Sequence, residues 1–139
     1  ATRGGTVTPI TFHVPGIPRA KGSMRAPRAG VVVNDSKLTK QWQHTIAWEA
    51  KQASVRLLPG PVRLALVFYL PRPNSAEPVF ATRKPDLDKL CRCALDALDG
   101  IAYSGAEHVV QLAAEKRWTL NGIVTTEPGL TVEIEWLES

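Results

Sequence analysis

The chain is poor in cysteine: Cys91 and Cys93 are the only two in 139 residues. They lie two apart inside a helical pattern, on diverging faces, and cannot easily pair with each other. That excludes a disulfide-stapled secreted scaffold and predicts two small packed thiols in a reducing, cytoplasmic setting. No run of about 18 apolar residues exists, so no membrane-spanning helix is expected. The first residues carry no apolar stretch of the signal-peptide kind, so no secretory leader is expected either. Glycine-rich phosphate fingerprints and Ser-His-Asp arrangements are missing. The three histidines, His13, His44 and His108, lack the spacing of a zinc site and read as structural or surface residues. Internal repeats and long linkers are absent too.

Acids are scarce where bases gather. Residues 1–40 carry Arg3, Arg19, Lys21, Arg25, Arg28, Lys37 and Lys40 against a single acid, Asp35. Glu127, Glu133, Glu135 and Glu138 crowd the other end. The net charge is +4 and the isoelectric point about 9.3. A basic half facing an acidic tail points to a polyanionic partner, nucleic acid being the commonest, although solubility alone accounts for a small positive charge. Aromatics are few. Trp42, Trp48, Trp118 and Trp136 fall on helix or strand patterns, which favours core packing over base stacking. With 44% hydrophobic residues, the length suits one domain, 1–139, that buries a core without staples.

The chain opens with a strand pattern, "TVTPITFHV" (6–14), in which Pro9 favours a sheet edge. A Pro-, Gly- and base-rich loop (15–30) follows, then a short strand pattern at 31–33. From an N-cap at Asp35 or Ser36, the residues Leu38, Trp42, Ile46, Ala50, Ala53 and Leu57 recur at helical spacing until "LPGP" (58–61). "VRLALVFYL" (62–70) is apolar on both faces, as a central strand covered on both sides requires. After a second Pro-rich loop (71–84), Leu87, Leu90, Ala94, Leu95 and Leu98 form the apolar stripe of a helix that Gly100 stops. Strands at 108–120 and 130–137 flank an Asn-Gly turn signal at 121–122. The sum is a single small α/β domain with a mixed, mainly antiparallel sheet and two principal helices.

Chemistry concentrates in "RKPDLDKLCRCALDALDGIAYSGAEHVV" (83–110). Asp86 and Asp88 repel each other unless a cation lies between them, and oxygen-only ligands suit Mg²⁺ or Mn²⁺ better than zinc. A helix N-terminus stabilises a carboxylate at Asp88. Arg92, four residues on, shares its face and can steady that carboxylate or meet a phosphate. Arg83, Lys84 and Lys89 surround the acids with positive charge. The same residues admit a plainer reading: an aspartate capping the helix, and Asp88–Arg92–Asp96 as solvated i,i+4 pairs. Spacing alone leaves both open.

The segment "KPDLDKLCRCALDALDGIAY…HVV…EKRW", with "FHVPGIPRAKGSMR" and "KLTKQWQHTIAWEA" before it, resembles the RusA family of Holliday-junction resolvases, common in phages and prophages. The likeness covers roughly residues 10–136. It implies a RusA-like homodimer that cleaves branched DNA, the four-way junction above all, with Mg²⁺ or substituting Mn²⁺. By position, Asp86 and Asp88 match the family's first two catalytic acids and metal ligands. Arg92 matches a basic catalytic position that is usually lysine, Lys116 the basic residue closing the next strand, and Lys21 and Arg25 the basic loop that approaches DNA; Arg28 extends that loop. One motif departs. An ungapped reading puts Gly105 and Ala106 where the family has two aspartates, so Ala106 stands at the expected third ligand. Glu107 is adjacent, but one step along a strand turns a side chain to the opposite face. The resemblance therefore allows two outcomes: an active nuclease, or a weakened binder of branched DNA.

Overall fold

The computed structural model describes residues 9–21, 35–77, 79–119 and 127–137. Strand β1 (Ile10–Pro15) is followed by helix α1 (Asp35–Gln52), strand β2 (Val62–Leu70), helix α2 (Leu87–Leu98), a 3₁₀ turn (Ala106–His108), strand β3 (Val109–Trp118) and strand β4 (Gly129–Trp136). The sheet order is β1-β4-β2-β3; β4 runs antiparallel to both neighbours and β3 parallel to β2. This is the mixed, mainly antiparallel sheet the sequence predicts. Residues 31–33 and the Asn121-Gly122 turn lie outside the described residues.

Alternation dictates the core. Val62, Leu64, Leu66, Phe68 and Leu70 of β2 point to one face with Leu130, Val132, Ile134 and Trp136 of β4 and Phe12 and Val14 of β1. Trp42, Ile46 and Ala50 of α1 and Leu90, Cys93, Ala94 and Leu98 of α2 join the same buried cluster. The second face of β2 is less covered than expected: Ala65, Val67 and Tyr69 are only half-buried. Trp48 breaks the expected core role as well, standing 61% exposed on the outer side of α1. Cys91 and Cys93 are free thiols; burial pushes both above the usual range, Cys93 to about 11.

Helix α1 stops five residues before Leu57, against the expected continuation. Ser54 adopts φ 66°, Val55 N–H reaches back to the Ala50 carbonyl (3.0 Å) and Ser54 N–H to Lys51 (3.0 Å). This pair of bonds is a Schellman closure with serine where glycine is usual, and it turns Val55 into the core in place of Leu57. Ser54→Gly should therefore raise stability by about 0.5–1 kcal/mol, because the left-handed conformation then costs no Cβ strain. A higher denaturant midpoint at unchanged slope checks it.

β2, α2 and β3 form a βαβ crossover. Its geometry sets the site. The N-terminus of α2 lies over the C-terminal ends of β2 and β3, and the C-terminus of α2 leads back to where β3 begins.

Candidate metal and nucleic-acid site

Asp86 occupies the N-cap position of α2, with φ −69° and ψ 139°, yet its side chain makes no capping hydrogen bond. Its oxygens face Lys84 Nζ at 2.8 Å and Lys89 Nζ at 3.4 Å. The Lys84 hydrogen bond holds this carboxyl below the usual carboxylate range, with Lys89 adding to it, so it is ionised at neutral pH. Asp88 lies in the first turn of α2 and is exposed, where the positive helix end favours a carboxylate. Asp86 does not cap with its side chain, and among the described residues no ion pair joins Asp88, Arg92 and Asp96. Asp96 instead binds Lys21 Nζ at 2.5 Å.

Lys116, near the end of β3, reaches under the acid-bearing loop. Its Nζ donates to the carbonyls of Arg83 (2.6 Å) and Pro85 (2.8 Å). Partial burial lowers its pKa, while Asp86 nearby works the other way. Two of its three donors are thus occupied by the backbone on either side of Lys84, and its part in the site is to fix the loop that carries Asp86. Lys116→Met should lower stability by about 1.5–3 kcal/mol, the range for hydrogen bonds to a charged group. Cleavage should fall more than DNA affinity; parallel melting, binding and cleavage measurements separate the two effects.

Of the other basic residues, Arg83 Nη2 donates to the Ser75 carbonyl (2.9 Å), while Lys84 projects into solvent beside Asp86. Lys89, in the first turn of α2, is more covered than Lys84, and its carbonyl receives Lys21 N–H (3.1 Å). The segment of Lys21 is therefore bound to α2, though its ammonium is shared with Asp96. Arg25 and Arg28 lie outside the described residues.

A groove of about 740 Å³ runs along α2 against β3. Leu87 and Asp88 line it toward the start of α2, Cys91, Arg92 and Leu112 further along, and Ala106 beyond the end of the helix. Ala106 is anchored at the C-terminus of α2: Gly105 N–H binds Asp99 Oδ1 (2.9 Å), Tyr103 Oη donates to the Leu95 carbonyl (2.6 Å) and Trp136 Nε1 to that of Ala102 (3.0 Å). From Asp88 to Asp99 the chain climbs eleven residues, about 16 Å at helical rise. One chain therefore does not bring position 106 within reach of an ion on Asp88, whose ligands must lie within about 2–2.6 Å of it. Glu107 points elsewhere. Its carboxylate curls back over Gly105, leaving no room for a β-carbon there, and it does not line the groove.

The model of the family described as Endodeoxyribonuclease RusA matches residues 15–135, from the end of β1 almost to the end of β4. The chain belongs to the RusA family. Among curated proteins, no sequence matches the chain. RusA proteins are endodeoxyribonucleases of Holliday junctions and generally depend on a divalent metal. No described helix is long and apolar enough to cross a membrane.

The donor set tests that dependence. Among the described residues no group of three Asp, Glu, His or Cys side chains comes together. Two carboxylates at the start of α2 still suit Mg²⁺, which keeps several waters and binds through one or two carboxylates plus substrate phosphates. Asp86 and Asp88 are the residues of this RusA chain that would hold it.

Proposed function

We propose that the protein is a structure-selective endodeoxyribonuclease that cuts four-way junctions or other branched DNA in recombination and repair, with Mg²⁺ or Mn²⁺ at Asp86 and Asp88. The observation that carries this reading is the N-terminus of α2, where Asp86, on a loop fixed by Lys116, makes no side-chain capping bond and Asp88 follows in the first turn. A divalent cation there supplies the charge that acidifies water and offsets that of the scissile phosphodiester. The chain's own residues do the rest. Lys84 and Lys89 further favour the ionised form of Asp86, Arg92 faces a phosphate entering the groove, and Arg83 and Lys84 hold the neighbouring DNA backbone.

A homodimer fits the groove. β3 is an edge strand, and its outer residues Val110 and Leu112 stand 58% and 44% exposed beside the apolar middle of the groove. Two copies packed there about a two-fold axis bring the Ala106 end of one groove to the Asp88 end of the other. Two sites related by that axis also suit paired cuts. Sedimentation at micromolar concentration should give about twice the chain mass; a monomer in the presence of junction DNA counts against this arrangement.

Ala106 favours a second reading: a branched-DNA binder with little catalytic power, because neither copy offers an acid there. One experiment separates the readings. A synthetic four-way junction and a linear duplex of equal length are titrated at several salt concentrations, then incubated with Mg²⁺ or Mn²⁺. The nuclease reading expects junction-selective binding that weakens steeply with salt, and paired nicks, slow in Mg²⁺ and faster in Mn²⁺. Tight selective binding without nicks favours the binder. Equal affinity for both DNAs sinks both.

A further inference from the structure

The loop between β2 and α2 displays the two most exposed large apolar side chains of the described residues, Val79 at 70% and Phe80 at 69%. They do not dangle. Glu77 accepts Val79 N–H on Oε1 and Phe80 N–H on Oε2, each at 2.9 Å, which folds the loop tip around one carboxylate. The Glu77 carbonyl receives Trp118 Nε1 at 2.7 Å, tying the tip to the end of β3. Arg72 Nη2 and Arg83 Nη2 bind the carbonyls of Ala76 and Ser75, and Thr82 N–H closes a turn on Phe80. A soluble chain gains nothing by fixing a bare phenyl ring in water; such rigidity pre-organises a contact.

Position and charge identify the partner. Phe80 lies six residues before Asp86, so their α-carbons are at most about 21 Å apart, or about six base-pair steps of DNA. Both occupy the end of the sheet where Lys116 and Trp118 close β3. Arg83 and Lys84 follow directly, and the one acid of the tip, Glu77, is exposed but has both oxygens engaged by the N–H groups of Val79 and Phe80. An apolar ring with cations behind it, beside an acid whose oxygens are occupied by backbone N–H groups, matches a stacked base flanked by phosphates. A linear duplex offers no free base face along its length; a branch point does. Resting on the branched-DNA reading above, we infer that Phe80, with Val79 beside it, is a specificity residue that enters the branch point and stacks on a base pair opened there, while Arg83 and Lys84 hold the adjoining phosphates.

The test uses the full chain in EDTA, so that binding is measured without cleavage. Probes are an immobile four-way junction with 2-aminopurine beside the crossover and a linear duplex of the same length with the same label. The parent should prefer the junction and brighten its probe, since 2-aminopurine gains fluorescence when parted from its neighbour. Phe80→Ala should weaken junction binding roughly 10- to 100-fold, the value of one aromatic–base stack, and leave the probe dark. Its affinity for linear duplex and its melting temperature should be those of the parent, because the ring buries little against the protein. Phe80→Leu, which fills space without a π-face, should fall between them. Parent-like junction affinity and brightening in Phe80→Ala overturn the inference, as does equal weakening on both DNAs, which marks a general contact. A shift to monomer in sedimentation also overturns it, since Phe80 is then a subunit contact. A parent with no preference for the junction removes the branched-DNA reading itself, and that is seen before any variant is compared.

Discussion

Ala106→Asp should turn a slow nuclease into a fast one. The position is already built for an acid: Asp99, Tyr103 and Trp136 fix the segment before it, and the residue is exposed at the first position of a 3₁₀ turn, where a carboxylate is tolerated. Even partners that do not touch a metal are worth about 10- to 100-fold in metal affinity. A direct carboxylate ligand should therefore tighten Mn²⁺ binding by about 100-fold or more and raise the rate in Mg²⁺ similarly. Because Asp88 and Ala106 lie at opposite ends of α2, the proposed two-fold dimer expects the gain to arise between two chains. A mixed dimer makes that visible. One chain carries Ala106→Asp together with Asp88→Asn, the other is the parent. The parent's Asp86 and Asp88 then meet the new acid across the axis, and one nick per junction should be fast. If the gain instead appears only when both acids share a chain, the two-fold arrangement is wrong. Glu107→Ala should leave metal binding unchanged; should it eliminate binding while Ala106→Asp does nothing, Glu107 is the ligand and the motif register is off by one.

How far the sequence could be read depended on whether a feature is periodic or spatial. The stripe of Leu87, Leu90, Ala94 and Leu98 repeats with the helix, so α2 was legible to within about a residue. β2 announced its central place by apolar residues on both faces, and Pro9 the edge position of β1. The end of α1 was hidden because Ser54 does the work usually signalled by glycine. Trp48 kept the pattern of a core residue while facing solvent, since period alone cannot tell which side of a broad stripe is covered. At the site, the two acids were legible as a motif, yet two properties existed only in space. Lys116 reads as one more base for DNA, but 31 and 33 residues away in sequence its partners are loop carbonyls. Ala106 reads as a neighbour of Asp88 because motifs are written on one line. The helix between them holds them apart.

Asp88→Asn should lower cleavage by about a thousandfold or more, the scale of losing a principal charge-stabilising group, with junction binding unchanged or tighter. The exchange is nearly isosteric, the side chain is exposed, and among the described residues it has no ion-pair partner, so the fold has little to lose. What goes is a hard anionic oxygen; an amide is a poorer ligand for Mg²⁺. Repulsion between that carboxylate and the DNA backbone goes with it, which is why binding should not suffer. Asp86→Asn should be equally inactive but should bind DNA more tightly still, since it also releases Lys84 and Lys89 to face phosphates. Its melting point should hardly move, because asparagine serves an N-cap as well as aspartate and the native side chain makes no capping bond. These expectations separate the metal site from the structural reading of the same residues. A helix-stabilising pair of acids loses melting temperature on substitution and keeps its chemistry; a ligand pair keeps its melting temperature and loses its chemistry. Cleavage at the parent rate by either variant, measured at saturating junction in Mg²⁺, removes Asp86 and Asp88 from the reaction.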